Sequence, residues 1–194
     1  MLPARLTKGK LLEIVNLDRP FSNFSFVDEY FGGLTALRRI FSQVRRLGCH
    51  TLLIEEIDGG DDILQENKDL ENHPDVGKLR FAKTFRLSFF TIPYKGGLRE
   101  NDLQDDDFQG YAIVRIVHSE SDWVNAWVYE SVIKPERTIN NFMRRAPIWQ
   151  CCVMGNTFKV KGYLYAQQNG KTNCCAHVAV RTAFRTNRGV LFCG

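Results

Sequence analysis

The feature that most constrains the fold is a succession of aromatic and β-branched runs from residue 79 onward, separated by turn residues. Runs of this kind favour β-strands, because their side chains pack well on a pleated surface. The Gly155-Asn156 pair between the last two runs fits a short hairpin turn. We therefore expect several antiparallel strands, over residues 79–92, 110–117, 123–133, 147–154 and 158–166.

A helical pattern precedes these runs. Apolar residues recur at helical spacing over residues 33–47, with Arg and Gln on the opposite face. Gly48 supplies a stop signal, and the apolar run at residues 49–57 then predicts a buried strand. Residues 58–78 are polar and predict a loop or a short exposed helix. Together these segments predict an α+β fold of antiparallel strands with a few helices.

Length and charge narrow the class of protein. With 194 residues, 44% of them hydrophobic, the chain is long enough to bury a core in one large or two small domains. The net charge of +4 comes from basic residues that are spread along the chain. A nucleic-acid-binding protein concentrates positive charge on one face or in one run, so we expect no nucleic-acid partner.

Apolar runs and cysteines indicate the compartment. No apolar run is long enough for a signal peptide or a membrane span, so we expect no membrane association. Without a secretion signal, the six cysteines are expected to be reduced thiols rather than a disulfide framework. The chain is therefore predicted to be cytoplasmic.

Residues 167–180, QQNGKTNCCAHVAV, carry the strongest indication of chemistry. Alanine and valine at helical spacing predict a final helix over about residues 173–184, with Cys174 and Cys175 in its first turn. A thiol at a helix N-terminus lies at the positive end of the helix dipole. This position lowers the thiol pKa and favours the nucleophilic thiolate.

Two glutamines precede these cysteines. The side-chain amide of Gln167 or Gln168 can lie beside the sulfur and donate to a developing oxyanion. A strand, a glutamine-bearing polar loop and a helix that begins at cysteine suit acyl transfer through a thiolate.

The same stretch resembles the glutamine-loop-cysteine-helix segment of papain-like cysteine peptidases, including the bacteriocin-processing type. It is more similar to uncharacterised bacterial proteins with a Gln-Gln-Asp…Cys-Ala segment, which also contain an acidic strand, a Phe-Phe strand and a Gly-aromatic-x-Val-x-Arg strand. The counterparts here are residues 52–58, 86–90 and 110–115. The resemblance implies a cysteine peptidase-like hydrolase with a protein or peptide substrate and without a cofactor or catalytic metal.

The resemblance also implies a division of the chain. Residues 1–165 form a mixed α/β region of unassigned role, and residues 166–194 begin a papain-like domain that is incomplete after its nucleophile helix. The chain stops at LFCG in the middle of a pattern, as expected for a truncated longer protein.

The identity of the nucleophile is open between two adjacent residues. A spacing of six from Gln168, as in papain, leads to Cys174. The Cys-Ala-x-x-Ala helix of the more similar bacterial proteins leads to Cys175, which we prefer because that match extends into the helix. Hydrolysis, transglutamination and deamidation share this machinery and stay open.

The general base departs from the family pattern. A papain-like site takes its histidine from strands more than a hundred residues after the cysteine, and few residues follow Cys175 here. His177 is two residues from Cys175, so the two side chains are expected on different helix faces. The remaining histidines are His50, His73 and His118. We favour His118, at the end of a predicted strand, as the base of a permuted dyad.

Two further classes of function compete with the peptidase. Cysteine pairs and a histidine could form a zinc site, from Cys151, Cys152, Cys174, Cys175 and His177. Adjacent cysteines on a strand point to opposite faces, however, so burial in the core is the better interpretation of Cys151 and Cys152. The other alternative is a protein-interaction module without catalytic activity.

Overall fold

The computed structural model describes residues 3–16, 27, 29–93, 103–136 and 146–172. Its principal elements are a short 3₁₀ helix, two α-helices and eight β-strands. Their bounds are Ala4–Leu6 for the 3₁₀ helix, Thr35–Arg46 for α1, Asp61–Glu71 for α2, Gly9–Asn16 for β1, Thr51–Ile57 for β2, Leu79–Phe90 for β3, Phe108–Ser119 for β4, Val124–Ile133 for β5, Ile148–Val153 for β6, Asn156–Lys161 for β7 and Tyr163–Tyr165 for β8.

Six of the strands form one sheet in the order β1-β2-β3-β4-β5-β8, and β6 and β7 form a separate hairpin. Every neighbouring pair is antiparallel. The chain is therefore an α+β protein with antiparallel strands and a few helices, as its sequence predicts.

One face of the sheet is covered by α1. The predicted apolar stripe of this helix is buried, including Leu37, Phe41 and Val44. It packs on side chains such as Leu52 and Phe89, which point to this face from β2 and β3. Because the stripe has helical period and the strands alternate, both elements bury one side and leave the other for a second layer.

The opposite face is covered by α2, the 3₁₀ helix and the β6–β7 hairpin. Ile63 of α2 is buried there with Trp149 and Phe158 of the hairpin. Phe158 contacts both Phe90 and Phe108, with ring centroids 5.4 and 5.5 Å apart. The sheet thus lies between a helical layer and a mixed layer, with apolar side chains on both of its faces.

Gly162 explains why the predicted strand over residues 158–166 is two strands. The chain leaves the hairpin after β7 and joins the edge of the main sheet as β8. At the crossing, a Cβ atom on Gly162 would lie 2.5 Å from the Ile133 carbonyl oxygen. The Trp149 indole also donates to the Gly162 carbonyl at 2.9 Å. Only glycine permits this approach, and the chain bends there.

Two other elements refine the sequence interpretation. The polar region 58–78 contains the predicted short helix, α2, but that helix is not wholly exposed because Ile63 and Leu70 are buried. β1 lies outside the predicted strands. It is an edge strand with a register irregularity between Leu11 and Glu13, and Val15 is its one buried residue. An edge strand with this pattern lacks clean alternation.

The last predicted element lies outside the described residues, since the description ends at Thr172. The division at residue 165 therefore stays a prediction, although residues 166–172 pack against the same sheet as β8. Among the described helices, none is both long and apolar enough to cross a membrane.

Candidate functional site

Two arginines are the largest fully buried side chains of the described residues. Arg86 on β3 and Arg115 on β4 are both 0% exposed. Arg115 alternates with Ile113 and Val117, which lie on the face covered by α2. Arg86 pairs directly with Ile113 across the strands, so it shares this face. A buried guanidinium must be paired and hydrogen-bonded, so each one organises a set of polar partners.

Arg86 belongs to an inner cluster that we define as Arg5, Glu55, Arg86, Tyr111 and Glu130. Its Nε and Nη2 atoms lie 3.0 and 2.9 Å from Glu55 Oε2, the neighbour across β2. Its Nη1 donates to the carbonyl oxygens of Arg5 and Thr7 at 3.3 and 2.8 Å. Glu55 Oε1 accepts the Met154 amide at 3.0 Å. The ion pair therefore fixes the N-terminal segment and the hairpin turn against the sheet.

The other side of the inner cluster is also buried. The Tyr111 hydroxyl donates to Glu130 Oε1 at 2.9 Å. Arg5 Nη1 lies 3.7 Å from the same oxygen, and the Arg5 guanidinium is 5.1 Å from the centre of the Trp149 ring. Burial, with the Glu130 charge beside it, raises the pKa of Tyr111 well above its ordinary value. This phenol therefore stays protonated and keeps its hydrogen bond to Glu130.

Arg115 belongs to an outer cluster that we define as Glu66, Asn67, Arg115 and Asn169. Its two terminal nitrogens donate to Glu66 Oε2 and to Asn67 Oδ1, which are consecutive residues of α2. Its guanidinium lies 5.1 Å from the centre of the Trp127 ring, the cross-strand neighbour on β5. Arg115 therefore ties α2 to the sheet, next to the segment that contains the predicted site.

That segment, residues 167–172, is held by Asn169. The Asn169 side chain is 2% exposed, and its Nδ2 donates to Glu66 Oε1 at 3.0 Å. Its Oδ1 accepts the backbone amides of Lys171 and Thr172, both at 3.0 Å. Its carbonyl oxygen accepts from Asn125 Nδ2 at 2.7 Å. An Asx turn with these outside bonds gives the segment one conformation.

The two predicted oxyanion donors differ in their surroundings. Gln167 is half-buried. Its backbone N–H donates to the Val128 carbonyl oxygen at 2.9 Å, and its side-chain Oε1 accepts from the Val128 backbone N–H at 2.7 Å. Gln167 thus continues the pairing of β5 beyond β8. Gln168 is exposed. It lies between two anchored residues, Gln167 and Asn169, so its backbone is fixed while its side chain faces outward.

His118 does not share this location. It follows Val114 and Ile116, which lie on the α1 face, and it is exposed with its ring 5.6 Å from that of Phe81. The Gln167–Thr172 segment is bonded to Asn125, which pairs with Val117 on the opposite face. The structure therefore places His118 and this segment on different faces of the sheet.

The other described histidines are placed as follows. His50 directly precedes β2, at the end of the sheet remote from Asn125. His73 lies near the segment through Asp75, which accepts from Lys171 Nζ at 2.9 Å. His73 Nδ1, however, accepts the Asp75 amide at 3.2 Å. The Nδ1 lone pair of His73 is therefore occupied by a backbone hydrogen bond.

The described cysteines are core residues. Cys49, Cys151 and Cys152 are free and buried, as the sequence predicts for the pair on β6. Burial raises the pKa of Cys49 to about 12, and burial also raises the pKa of Cys151 strongly. Across the described ranges, no group of three or more His, Cys, Asp and Glu could hold a metal ion. Cys174, Cys175 and His177 lie outside the described residues.

Sequence reasoning missed the buried polar residues of both clusters. Arg86 and Arg115 lie inside the apolar runs, at positions where alternation predicts a core side chain. A charge at such a position signals a buried ion pair, but its partner is not local in sequence. Glu66 and Asn169 are 103 positions apart, and only the packing of α2 on β4 brings them together.

Comparisons with models of known families, with curated proteins and with solved structures found no match for this chain.

Proposed function

We propose that the chain carries a papain-like thiol site that transfers or hydrolyses acyl groups of a protein or peptide, with Cys175 as nucleophile and Gln168 as oxyanion donor. The observation that carries the proposal is the placement of Gln168, exposed between two anchored residues. An oxyanion donor must be fixed before the reaction, because a mobile donor costs free energy to orient in the transition state.

The two glutamines differ in what their side chains do. The Oε1 of Gln167 accepts the Val128 amide, so Gln167 has a structural role at the β5 edge. Gln168 is exposed and lies six residues before Cys174 and seven before Cys175. We therefore assign the donor role to Gln168 and leave Cys174 as the alternative nucleophile.

The chemistry balances as follows. The thiolate attacks the carbonyl carbon, a C–S bond forms, and the carbonyl π pair moves onto oxygen, where the Gln168 amide donates to it. The tetrahedral intermediate collapses, the C–N bond breaks, and the leaving nitrogen takes a proton from a solvent water. The hydroxide so formed attacks the thioester carbonyl, the C–S bond breaks, and the acid product and the thiolate are released. A predicted helix N-terminus at the cysteines favours the thiolate without a neighbouring base.

Two reagents test the proposal on one site. Iodoacetamide alkylates a thiolate by direct displacement, without an oxyanion, whereas p-nitrophenyl acetate acylates it through one. Both products are read on the tryptic peptide 172–181, which contains Cys174 and Cys175. We expect one of these thiols to be alkylated with an apparent pKa well below about 8.5. Cys49 and Cys151 serve as unreactive internal references, because burial raises their pKa.

Gln168→Ala sharpens the test. We expect it to lower the acylation rate by about 10²-fold, the effect of removing one oxyanion donor, and to leave the alkylation rate within about twofold. Gln167→Glu, which keeps the oxygen that accepts from Val128, is the matched control and should change neither rate by much. Ordinary alkylation of both cysteines, or acylation that is insensitive to Gln168, contradicts the proposal.

A second candidate is a protein-interaction module, favoured by an exposed row on the α1 face. Phe81, His118 and Val124 are neighbours across β3, β4 and β5, and Phe81 and Val124 are 39% and 57% exposed. Adjacent exposed apolar side chains are typical of contact surfaces. A photo-crosslinking residue at Val124 should then give a discrete protein adduct that the same residue at exposed Lys68 does not. Equal labelling at both positions contradicts this alternative.

A further inference from the structure

The outer edge of β1 has no strand beside it among the described residues. β1 pairs with β2 alone, at one end of the six-stranded sheet. The backbone N–H and C=O groups along such an edge can pair with a strand of another molecule. Leu12, in the middle of β1, is 43% exposed, and Lys10 and Glu13 are exposed as well. β1 therefore presents an apolar centre between two opposite charges.

The bulge in β1 brings these two charges to the same face. The residues before and after Leu12 pair with consecutive residues of β2, so Leu12 is an extra residue in the strand. Lys10 and Glu13 pair with Glu56 and Ile54. Residues two apart on a strand point to the same face, and Ile54 belongs to the face covered by α1. Lys10 and Glu13 therefore both lie on the α1 face.

Both charges are available to another molecule. Within the described part of the chain, neither Lys10 nor Glu13 forms an ion pair. Glu56, which lies opposite Lys10 on β2, is paired instead with Lys83 at 3.1 Å. An exposed lysine on an edge strand discourages pairing with most chains, but it favours a strand that sets a carboxylate opposite it. The partner of this edge is therefore selected by the positions of its charges.

We propose that β1 is the interface of a symmetric dimer, in which the β1 strands of two copies of this chain pair antiparallel. With the two-fold axis between Leu11 and Leu12, these leucines lie opposite each other. Each Lys10 then lies opposite Glu13 of the other copy. Opposite residues in an antiparallel pair share a face, as Lys10 and Glu13 do because of the bulge. Residues 10–13, KLLE, are thus complementary to themselves, which a two-fold interface requires.

The charges also select one register. Moving the axis onto Leu12 places Lys10 opposite Ile14, so the charges lose their partners. A pairing confined to one strand buries little surface, so we expect a reversible dimer that depends on protein concentration. The inference is independent of the proposed acyl transfer, because it uses no residue of that site.

Sedimentation velocity of the whole chain over a range of protein concentrations measures the association constant. Lys10→Glu or Glu13→Lys turns both ion pairs of the dimer into like-charge pairs, so we expect each to lower the association constant by about 10-fold or more. The double variant with both reversals restores complementarity and should return to within about threefold of the wild type. Lys68→Glu makes the same change of charge on the exposed surface of α2. It is the matched control and should leave the association constant unchanged.

Mixing the two single variants gives a test with its own control. Lys10→Glu places two glutamates on the edge, and Glu13→Lys places two lysines there. An equimolar mixture should therefore form a heterodimer more strongly than either variant associates alone. Hydrogen exchange at the backbone amides of β1 should slow as the wild-type concentration rises, because the contact lies at this edge.

Three results overturn the inference. A wild-type chain that stays monomeric up to about 1 mM shows that Lys10 and the bulge keep the edge unpaired. A dimer whose association constant changes by less than about twofold in both single variants is held by another surface. A mixture of the single variants that associates no better than each alone shows that the two charges do not face each other across the interface.

Discussion

The inner and outer clusters both contain an arginine–glutamate ion pair, but the two pairs differ in exposure and in what they hold. Each places a fully buried arginine on the same face of the sheet, beside a glutamate. In the inner cluster the glutamate is 0% exposed and every described partner is part of the core or of the segments packed on it. In the outer cluster the Glu66 side chain is 17% exposed, and its partners include a surface segment.

The exposure of the carboxylate decides what each arginine can do. A fully buried ion pair matters to stability mainly through the cost of breaking it. Removal of one partner leaves a charge that water cannot reach, and this destabilises the fold strongly. An ion pair at the rim can lose a partner and be rehydrated, so less of the fold depends on it. A pair of this kind can hold a surface segment, here residues 167–172, without being essential to the fold. The inner cluster therefore contributes mainly to stability, and the outer cluster holds residues 167–172 in place.

The largest expected effect is at Arg86. Arg86→Met should lower the free energy of unfolding by about 3–5 kcal/mol, because Glu55 stays buried and unpaired and two carbonyls lose their donor. Urea unfolding measures the change. Glu55→Leu combined with Arg86→Met should cost less than the sum of the two single variants, since no unpaired charge remains. Additive losses would mean that the two side chains are not energetically coupled, and the interpretation of the inner cluster as a closed ion pair would be wrong.

How much the sequence predicts differs between the two clusters. The strands that carry Glu55, Arg86 and Arg115 follow from local alternation, and these strands are where the sequence places them. The contacts among them are not local. Glu55 meets Arg86 through the β2–β3 register, and Glu66 meets Arg115 through helix packing, with separations of 31 and 49 positions. Single-sequence reasoning reads periodicity and turns, so it reaches elements but not such pairs.

The candidate site shows the same limit. The sequence singles out Gln167 and Gln168 together, because spacing alone cannot separate neighbours. Their difference comes from the Val128 amide, which only one of them reaches. The sequence favours His118 because it ends a predicted strand, yet alternation along β4 places it on the face away from residues 167–172. The face of each strand residue depends on the whole sheet and on which side the segment returns.

Arg115 should have a smaller effect on stability than Arg86. Arg115→Met removes two hydrogen bonds to α2 but leaves Glu66 able to reach water, so we expect a loss of about 1.5–3 kcal/mol in the free energy of unfolding. Hydrogen exchange should quicken at the Lys171 and Thr172 amides. If Arg115→Met costs as much as Arg86→Met and leaves these amides protected, the outer cluster is a second stability device and the comparison fails.

Gln167 should have a smaller effect again. Gln167→Ala leaves the Val128 amide without its side-chain acceptor, and we expect a loss of about 1–2 kcal/mol and faster exchange at Val128. Gln167→Glu keeps the acceptor oxygen and is the matched control. Similar behaviour of the two variants would show that the oxygen of residue 167 does not hold the β5 edge, and the donor role could then belong to either glutamine.

The smallest expected effect is a pH dependence at the exposed end of the segment. The hydrogen bond and charge of Lys171 lower the pKa of Asp75 below its ordinary value of 3.8. A carboxyl with a lowered pKa in the folded protein stabilises the fold above the ordinary value, and loses that contribution as the pH falls through the lowered one. The tether between Lys171 and Asp75 should therefore be constant from neutral pH to about pH 5 and weaken below about pH 4.

This tether offers the finest test of the comparison between the two clusters. Protection of the Lys171 and Thr172 amides from hydrogen exchange should fall modestly in Asp75→Asn at pH 5, where the wild type keeps its tether, and the difference should vanish near pH 2. Asp69→Asn, with a carboxylate that bonds Gln65 instead, should not show it. Because Asn169 and Glu66 hold the same segment from the buried side, loss of the exposed tether should loosen the segment without releasing it. Complete release in Asp75→Asn would mean that the surface ion pair, and not the outer cluster, fixes the position of Gln168.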